Sequence, residues 1–441
     1  GSQFSDSLVN ITIVGAGISG LSAAFELQKS GFEVTILEGS ERLGGKILTS
    51  EIEGFNIDAG PDSFLTRDPE MRDLCFALGV GDELVPPTGK PAKVWVGGEM
   101  HSLPKRHFLG VPLDLDELEG LSLLTEEGAK RAKLDLTLPD NKPKKAETVG
   151  SLIRRRLGDE VMDRLVGPLL GGINAGDADD LCLESGVPQL FNASQGDSSL
   201  VRSVQDFLKN QNRDPTSPVF LTHPDGLETV VKRLEQAIDS DIRRNERVTS
   251  VEISDNSIVV KGSQEYQSDA VILCIPAFSA AKILHGSCPN TSNLLAGIQY
   301  ASMAFITFAF NKGDVSEFNG SGFLVGRDED LLTTACSWTS EKWAHLKNND
   351  TVFLRLSVGR FDDTEALDME DDTLIEKLKG ELATLTGIKA NPIATRVTRW
   401  PYSFPQYELG HGEKVNAIRQ QVAVEMPGMY LAGSPFKGIG L

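Results

Sequence analysis

Cysteine is scarce in this 441-residue chain: Cys75, Cys182, Cys274, Cys288 and Cys336 are scattered, odd in number and never spaced as CxxC. That argues against a disulfide framework and a thiolate zinc site, and favours a reducing compartment. Histidine is equally thin: the six residues show no HxxxH or related spacing, so no metal is expected. Basic residues are outnumbered, 43 Lys and Arg against 63 Asp and Glu, for a net charge of −20. Such a balance argues against a wide face for nucleic acid or an anionic membrane, while leaving room for a local basic pocket. Long apolar runs are also lacking. The longest, Ala270 to Phe278 and Met303 to Phe310, fall well short of the ~20 residues of a spanning helix. The expectation is a cytoplasmic protein with at most peripheral membrane contact. Its start, Gly1-Ser2, reads as an appended dipeptide, with no secretory leader.

What is present begins with glycine. Gly15-Ala16-Gly17-Ile18-Ser19-Gly20 lies between an apolar run, Ile11 to Val14, and a helical pattern from Ile18 to Lys29. Gly15 allows a tight turn, Gly17 lets backbone approach a pyrophosphate, and Gly20 lets the helix pack closely on a sheet. The helix then points its N–H groups and dipole at the phosphates. Val34 to Leu37 reads as the second strand, and Glu38 at its end is placed to accept hydrogen bonds from a ribose. By itself this fingerprint leaves NAD and FAD open.

At 441 residues two or three domains are expected. Pro86 to Pro91 marks a boundary. From about 91 to 205 the chain reads as mostly helical, with apolar positions at three- and four-residue spacing from Val149 to Leu170. Asn210 to Pro218 reads as a loop and Gly226 as the opening of a helix through Leu234. Strands are expected at 247–253, 257–261, 268–276, 303–310, 351–358 and 428–433, and an amphipathic helix at 370–385. The pattern is α/β with a discontinuous first domain: 8–90, 220–290 and 396–441 for the nucleotide, 91–205 helical, and 291–395 a mixed-sheet substrate-binding domain.

Further motifs carry a resemblance. Arg42-Leu-Gly44-Gly45, Asp58-Ala-Gly60-Pro61-Asp62-Ser63, Asp225-Gly226-Leu227, Asp269 to Ile272, and Leu431-Ala-Gly433 with Gly438-Ile439-Gly440 resemble the flavin-containing amine oxidase superfamily. Within it, Gly60 to Arg67, Arg155 to Val161 with Pro168 to Gly176, and Trp400 with Phe404 to Tyr407 and Gly410-His411 are similar to the porphyrinogen oxidases of haem synthesis. The similarity is to the Gram-positive bacterial branch, associated with coproporphyrinogen III rather than protoporphyrinogen IX. It implies a Rossmann-like FAD domain and FAD held by Gly15 to Gly20, Glu38, Gly39, Arg42, Gly44, Gly45, Lys46, Gly60 to Ser63, Val248, Trp400 and Gly438 to Gly440. It also implies hydride transfer from a meso carbon to flavin N5, dioxygen as acceptor, hydrogen peroxide as by-product, and a haem-pathway enzyme as a partner. No covalent flavin attachment is expected, and no catalytic base is named, because the cofactor carries the hard chemistry. Family members continue beyond the Gly-x-Gly turn with a long helix; this sequence reaches Leu441 there. Protoporphyrinogen IX oxidation, an amine oxidase or carotenoid desaturase on the same scaffold, and a non-catalytic flavin-binding protein remain the alternatives.

A porphyrinogen has an apolar body and propionates, so it calls for an apolar slot with cations at the mouth. Arg67 is the first candidate for a propionate, since its guanidinium fork matches a carboxylate; the rival reading pairs it with Asp68 or Glu70. Gly171, Ile173 and Asn174, in a helix end rich in small residues, are the candidates for contact with the ring. Lys46, Val248 and Trp400 each have an ordinary reading as loop lysine, core valine and packing tryptophan. Arg154 to Arg156 reads as a solvated, salt-bridged face, since Asp159 and Glu160 follow at helical spacing. Lys142 to Lys145 reads as loop charge, Phe108 to Leu113 as a candidate membrane contact, and His411 as a structural hydrogen-bonding residue.

Overall fold

The computed structural model describes residues 8–139, 142, 146–211, 214 and 216–441. The apolar run at the start forms strand β1 (Asn10–Val14), followed by helix α1 (Ile18–Lys29) and strand β2 (Glu33–Leu37). β1 lies at the centre of a five-stranded parallel sheet. Arg243, Ile242 and Asp241 pair on the far side of β2, while Ala270–Leu273 and then Met429–Leu431 extend the sheet beyond β1. Such strands are buried on both faces, which is why Ile11, Ile13, Val34 and Ile36 form near-continuous apolar runs. Leu21, Ala24 and Phe25 of α1 pack on one face with Val230, Val231 and Leu234 of helix Glu228–Ala237. Helices Ala277–Leu284, Pro289–Ala296 and His411–Glu425 build a core with the sheet's other face.

A second sheet has seven strands, ordered Ala394–Pro405, Tyr300–Asn311, Thr351–Val358, Thr333–Ser337, Gly322–Val325, Ala92–Val96 and Glu99–Ser102. Helix Asp371–Thr386 covers it with Leu374, Leu378 and Leu382, a four-residue spacing that forms one stripe. Two segments correct the expected division. Residues 92–102 belong to this sheet rather than to the helical region, because Val94 and Val96 alternate inward at period two. The strand 394–405 is also part of it, so the expected boundary at 396 falls inside a strand that pairs along Tyr300–Asn311.

The remaining helices pack on one another around Leu152, Ile153, Leu157, Leu165 and Val204. The pattern from Val149 to Leu170 is not one helix. Gly158, at φ +92°, ends Val149–Leu157, and a π-helical turn at Met162–Val166 precedes Gly167–Asn174. The solvated face expected at Arg154 to Arg156 is corrected at its last member. Arg154 does meet Asp159, Asp163 and Asp179, and Arg155 meets Glu147, but Arg156 is 2% exposed and paired with fully buried Asp135. Asp135 also accepts from Ser199 Oγ and from the N–H groups of Leu200 and Val201, so the pair ties three segments together. Nor is Phe108 to Leu113, a candidate for membrane contact against the chain's net acidity, an exposed apolar patch. Phe108, Val111 and Leu113 are core residues, turned inward by the short hairpin of His107–Phe108 and Val111–Pro112.

Among the described residues no helix is long and apolar enough to cross a membrane, and no His, Cys, Asp and Glu group is arranged to hold a metal. Gly1-Ser2, Lys144, Lys145, and part of the 210–218 loop lie outside the described residues.

Candidate functional site

β1 delivers the chain to Gly15, at φ +100°, whose N–H donates to the Leu37 carbonyl at 2.8 Å. A methyl group on Gly20 would run into the Gly15 carbonyl oxygen, so only glycine lets α1 start this close to the turn. Gly17 is the N-cap of α1 and provides no side-chain cap, leaving the first-turn N–H groups and helix dipole for an external acceptor. The Arg42 to Lys46 loop meets this turn backbone to backbone: Gly44 N donates to Ala16 O at 2.8 Å, and a Cβ on Gly45 would come within 3.1 Å of the Gly17 Cα. Arg42 shapes that loop from within, donating to the carbonyls of Leu43, Gly45 and Ile47. A cradle of two close backbone turns at a helix N-terminus fits a pyrophosphate.

Glu38 closes the end of β2. Its Oε2 accepts from Ala16 N at 2.9 Å, while Oε1 accepts from Ser40 N and Oγ, so the carboxylate stands beside the glycine turn. The segment after Asp241–Arg243 runs alongside, with Glu38 N donating to Arg243 O and Glu246 N to Glu38 O. Val248 follows on this segment, half-buried against the second core, and precedes the strand Ser250–Ser254 rather than lying in it. Gly39 faces the guanidinium of Arg247. At the other end of the sheet, Gly433 stands opposite Ser19 of α1, and Gly438, Ile439 and Gly440 continue from it, with Ile439 packed on the helical core and Leu441 on the core beneath α1.

Beyond the cradle, a second group of residues gathers around Gly60. A methyl group on Gly60 would strike the Lys46 carbonyl oxygen, and the Trp400 indole sits against it, donating to Ala59 O at 2.7 Å. Lys46 reaches the Ser403 carbonyl, and burial pushes its amine down to about 8. Asp62 faces away from this wall. Its carboxylate accepts from Lys342 Nζ at 2.9 Å and Trp343 Nε1 at 3.4 Å, with Arg355 at 3.5 Å and the Ser63 hydroxyl on its other oxygen. Burial opposes ionisation there, but Lys342 and Arg355 hold the carboxyl well below the usual range. In this segment the Asp62 carboxylate is thus held by Lys342, Trp343 and Arg355.

The small-residue helix end lies on the same strand's path. Gln406, following Ala394–Pro405, donates through Nε2 to Asn174 O at 2.9 Å, and Asn174 Nδ2 donates to Leu170 O. Ala175 adopts the left-handed conformation, φ +50°, and stops the helix. Gly171, Gly172 and Gly176 line a small pocket with Met303, Val325, Arg327 and Arg360. Ile173 is 52% exposed beside it. Arg67 is half-buried with its guanidinium over the Phe108 ring, 4.9 Å from the centroid. His411 is buried and stacks on Tyr407 at 3.9 Å, and burial pushes its imidazole down to about 4, so it stays neutral.

Sequence reasoning missed Arg355, Lys342, Arg327, Arg360 and Gln406. Arg355 deserved suspicion, because one charge inside Thr351–Val358 at a buried strand position requires partners. It donates to Asp58 O at 3.2 Å and Gly60 O at 2.7 Å, clamping the Gly60 turn from behind. Gln406 lies within the Phe404 to Tyr407 motif without having been singled out, and Lys342, Arg327 and Arg360 had no such signal.

A family model described as flavin containing amine oxidoreductase matches residues 18–437. A coproporphyrinogen III oxidase of Bacillus subtilis is 33% identical over 99% of this chain and 96% of its own length. One from Staphylococcus aureus is 30% identical over 98% and 96%. A crystal structure from Exiguobacterium sp. 255-15, described as that of a protoporphyrinogen oxidase, superposes with a TM-score of 0.88 at 31% identity, covering 98% of this chain and 95% of that one.

Proposed function

This chain belongs to the flavin containing amine oxidoreductase family, and on that premise we propose that it is an FAD-dependent oxidase that converts coproporphyrinogen III to coproporphyrin III. One observation carries the reading. The strand Ala394–Pro405 and the residue after it set Trp400 against Gly60 and Gln406 against Asn174, so a single segment runs from the group around Gly60 to the small residues at the helix end. Relatives that match almost end to end bear the name of this activity.

Gly15 to Gly20 with Gly44 and Gly45 would hold the pyrophosphate, Glu38 and Gly39 the ribose, and Val248 the adenine through its main chain. Arg42 keeps the second turn in shape. Lys46, Gly60, Pro61, Ser63 and Trp400 form the wall toward the ring system, and Gly438 to Gly440 close the opposite side. FAD, when bound, supplies a two-electron acceptor for hydride from a meso carbon. Gly171 and its neighbours let the macrocycle lie close to backbone, Ile173 and Asn174 flank it, and Arg67 binds a propionate. The substrate's N–H protons leave to solvent. Three such oxidations consume three molecules of dioxygen and release three of hydrogen peroxide, and the porphyrin passes to a haem-pathway enzyme.

Protoporphyrinogen IX is the second reading, favoured by the names of the Exiguobacterium structure and of an Arabidopsis thaliana relative at 25% identity. Anaerobic addition of coproporphyrinogen III to the FAD-loaded protein should bleach the flavin absorbance, and porphyrin fluorescence should rise faster than with protoporphyrinogen IX. An unbleached flavin, or peroxide formed from a polyamine instead, refutes the proposal.

A further inference from the structure

Arg360 is the residue in the pocket beside Gly171 whose charge the protein leaves least answered. It follows Gly359, which turns the chain out of Thr351–Val358 at φ +91°. The turn is pinned twice. Arg360 N donates to Asp363 O at 2.9 Å, and Phe361 N donates to Ala175 O at 2.8 Å, so Arg360 is fixed against the end of helix Gly167–Asn174. Its guanidinium has five N–H donors. One of them reaches a protein acceptor, the Val325 carbonyl, at a long 3.3 Å.

The neighbouring Arg327 is handled differently. It pairs with Asp177 at 3.3 Å and with Asp362, and it donates to the Gly176 carbonyl. Both arginines line the same pocket. Among the described residues Arg360 has no ion pair of its own. Asp177, Asp362 and Asp363 act on it from a distance, and burial together with the like charge of Arg327 pushes its guanidinium down. A half-buried cation with unused donors, opening on a pocket walled by glycines, has the chemistry of a site for a carboxylate carried by an apolar body.

We infer that Arg360 binds a propionate of the porphyrinogen beside the end of the glycine helix, as a contact separate from Arg67. This rests on the porphyrinogen reading above. The bidentate carboxylate takes up the donors that Val325 leaves unused, and Arg327, already neutralised, keeps the turn in place without competing for the substrate.

The test uses the FAD-loaded enzyme, with coproporphyrinogen III and its tetramethyl ester as the two probes. Arg360→Gln should raise KM for the acid about tenfold or more, as expected for a lost charged hydrogen bond, with kcat within about threefold. KM for the uncharged ester should move far less, and Arg360→Lys should recover part of the loss. Equal KM changes for acid and ester would make Arg360 a packing residue and overturn the inference, as would an unmoved KM for the acid. Should Arg360→Gln fail to retain flavin, the decision rests on Arg360→Lys. That variant keeps the charge but loses the fork, and it must raise KM for the acid several-fold more than for the ester. A wild-type enzyme that oxidises neither probe overturns the porphyrinogen reading itself, and this inference with it.

Discussion

Asp58→Asn is expected to stabilise the folded protein at pH 7.5 and to have little effect near pH 4. The Asp58 carboxyl is buried beneath the Gly60 turn, where its Oδ1 accepts from Thr49 Oγ1 at 2.6 Å and from Leu227 N at 3.1 Å. Burial is the main force on it and, with the nearby charge of Asp62, pushes it up to about 6 despite the Thr49 bond. The folded state therefore holds this proton more tightly than the unfolded chain, whose carboxyl titrates near 3.8. Stability from this group is fully present below the unfolded value and is lost as pH rises through the folded one. At about 1.4 kcal/mol per pKa unit, ionised Asp58 costs the folded state about 3 kcal/mol at pH 7.5. Asparagine keeps an oxygen for Thr49 and Leu227 and removes the buried charge, so about 1–3 kcal/mol should return. Urea unfolding of wild type and variant between pH 4 and 7.5 reads the difference directly, since all other titrations cancel. The variant's advantage should grow across pH 4 to 6 and then level off. A difference that does not change with pH, or a variant less stable than wild type at pH 7.5, would mean that Arg355 keeps the carboxylate ionised and favourable, and the reasoning would be refuted.

Asp62→Asn should do the opposite. It would strand Lys342 and Arg355 at a buried site, a loss of about 3–5 kcal/mol in urea unfolding at pH 7.5. Because the Asp62 carboxyl is held below its usual range, the wild-type contribution is present above the unfolded value and fades only as the pH falls through the lower folded one; a variant as stable as wild type at neutral pH would contradict the pairing. Gly20→Ala forces its methyl group against the Gly15 carbonyl and should yield protein with little bound flavin, read from the flavin-to-protein absorbance ratio. A wild-type ratio would show that the turn can give way. Arg67→Ala should raise KM for coproporphyrinogen III with little change in kcat, the pattern of lost uniform binding; an unchanged KM would leave Arg67 as a partner of Phe108 and its neighbours.

The elements were readable where local chemistry and burial agree. Val-, Ile- and Leu-rich strands buried on both faces look like strands in any context, and the glycines at 15, 17 and 20 admit few alternatives between a strand and a helix. Legibility failed where the deciding partner lies far along the chain. Residues 92–102 look unremarkable until they meet Gly322–Val325, more than 200 residues later. Phe108 to Leu113 is an apolar run that reads equally well as a surface patch or a core, and only the helices packed around it make it core. Arg156 carries the same charge as Arg154, and the buried acceptor Asp135 alone separates their fates.

The sequence by itself determined the nucleotide half of this protein, because a glycine turn, a helix N-terminus and an acid at a strand end lie within one short segment and need no distant residue to state their chemistry. The tertiary structure decided the rest. It turned the Asp62 carboxylate away toward Lys342, brought Gln406 to Asn174, and set Arg327 and Arg360 in one pocket while neutralising only the first. Charge in a protein has meaning only with its distance to other charges and to water, and that distance is a property of the folded chain.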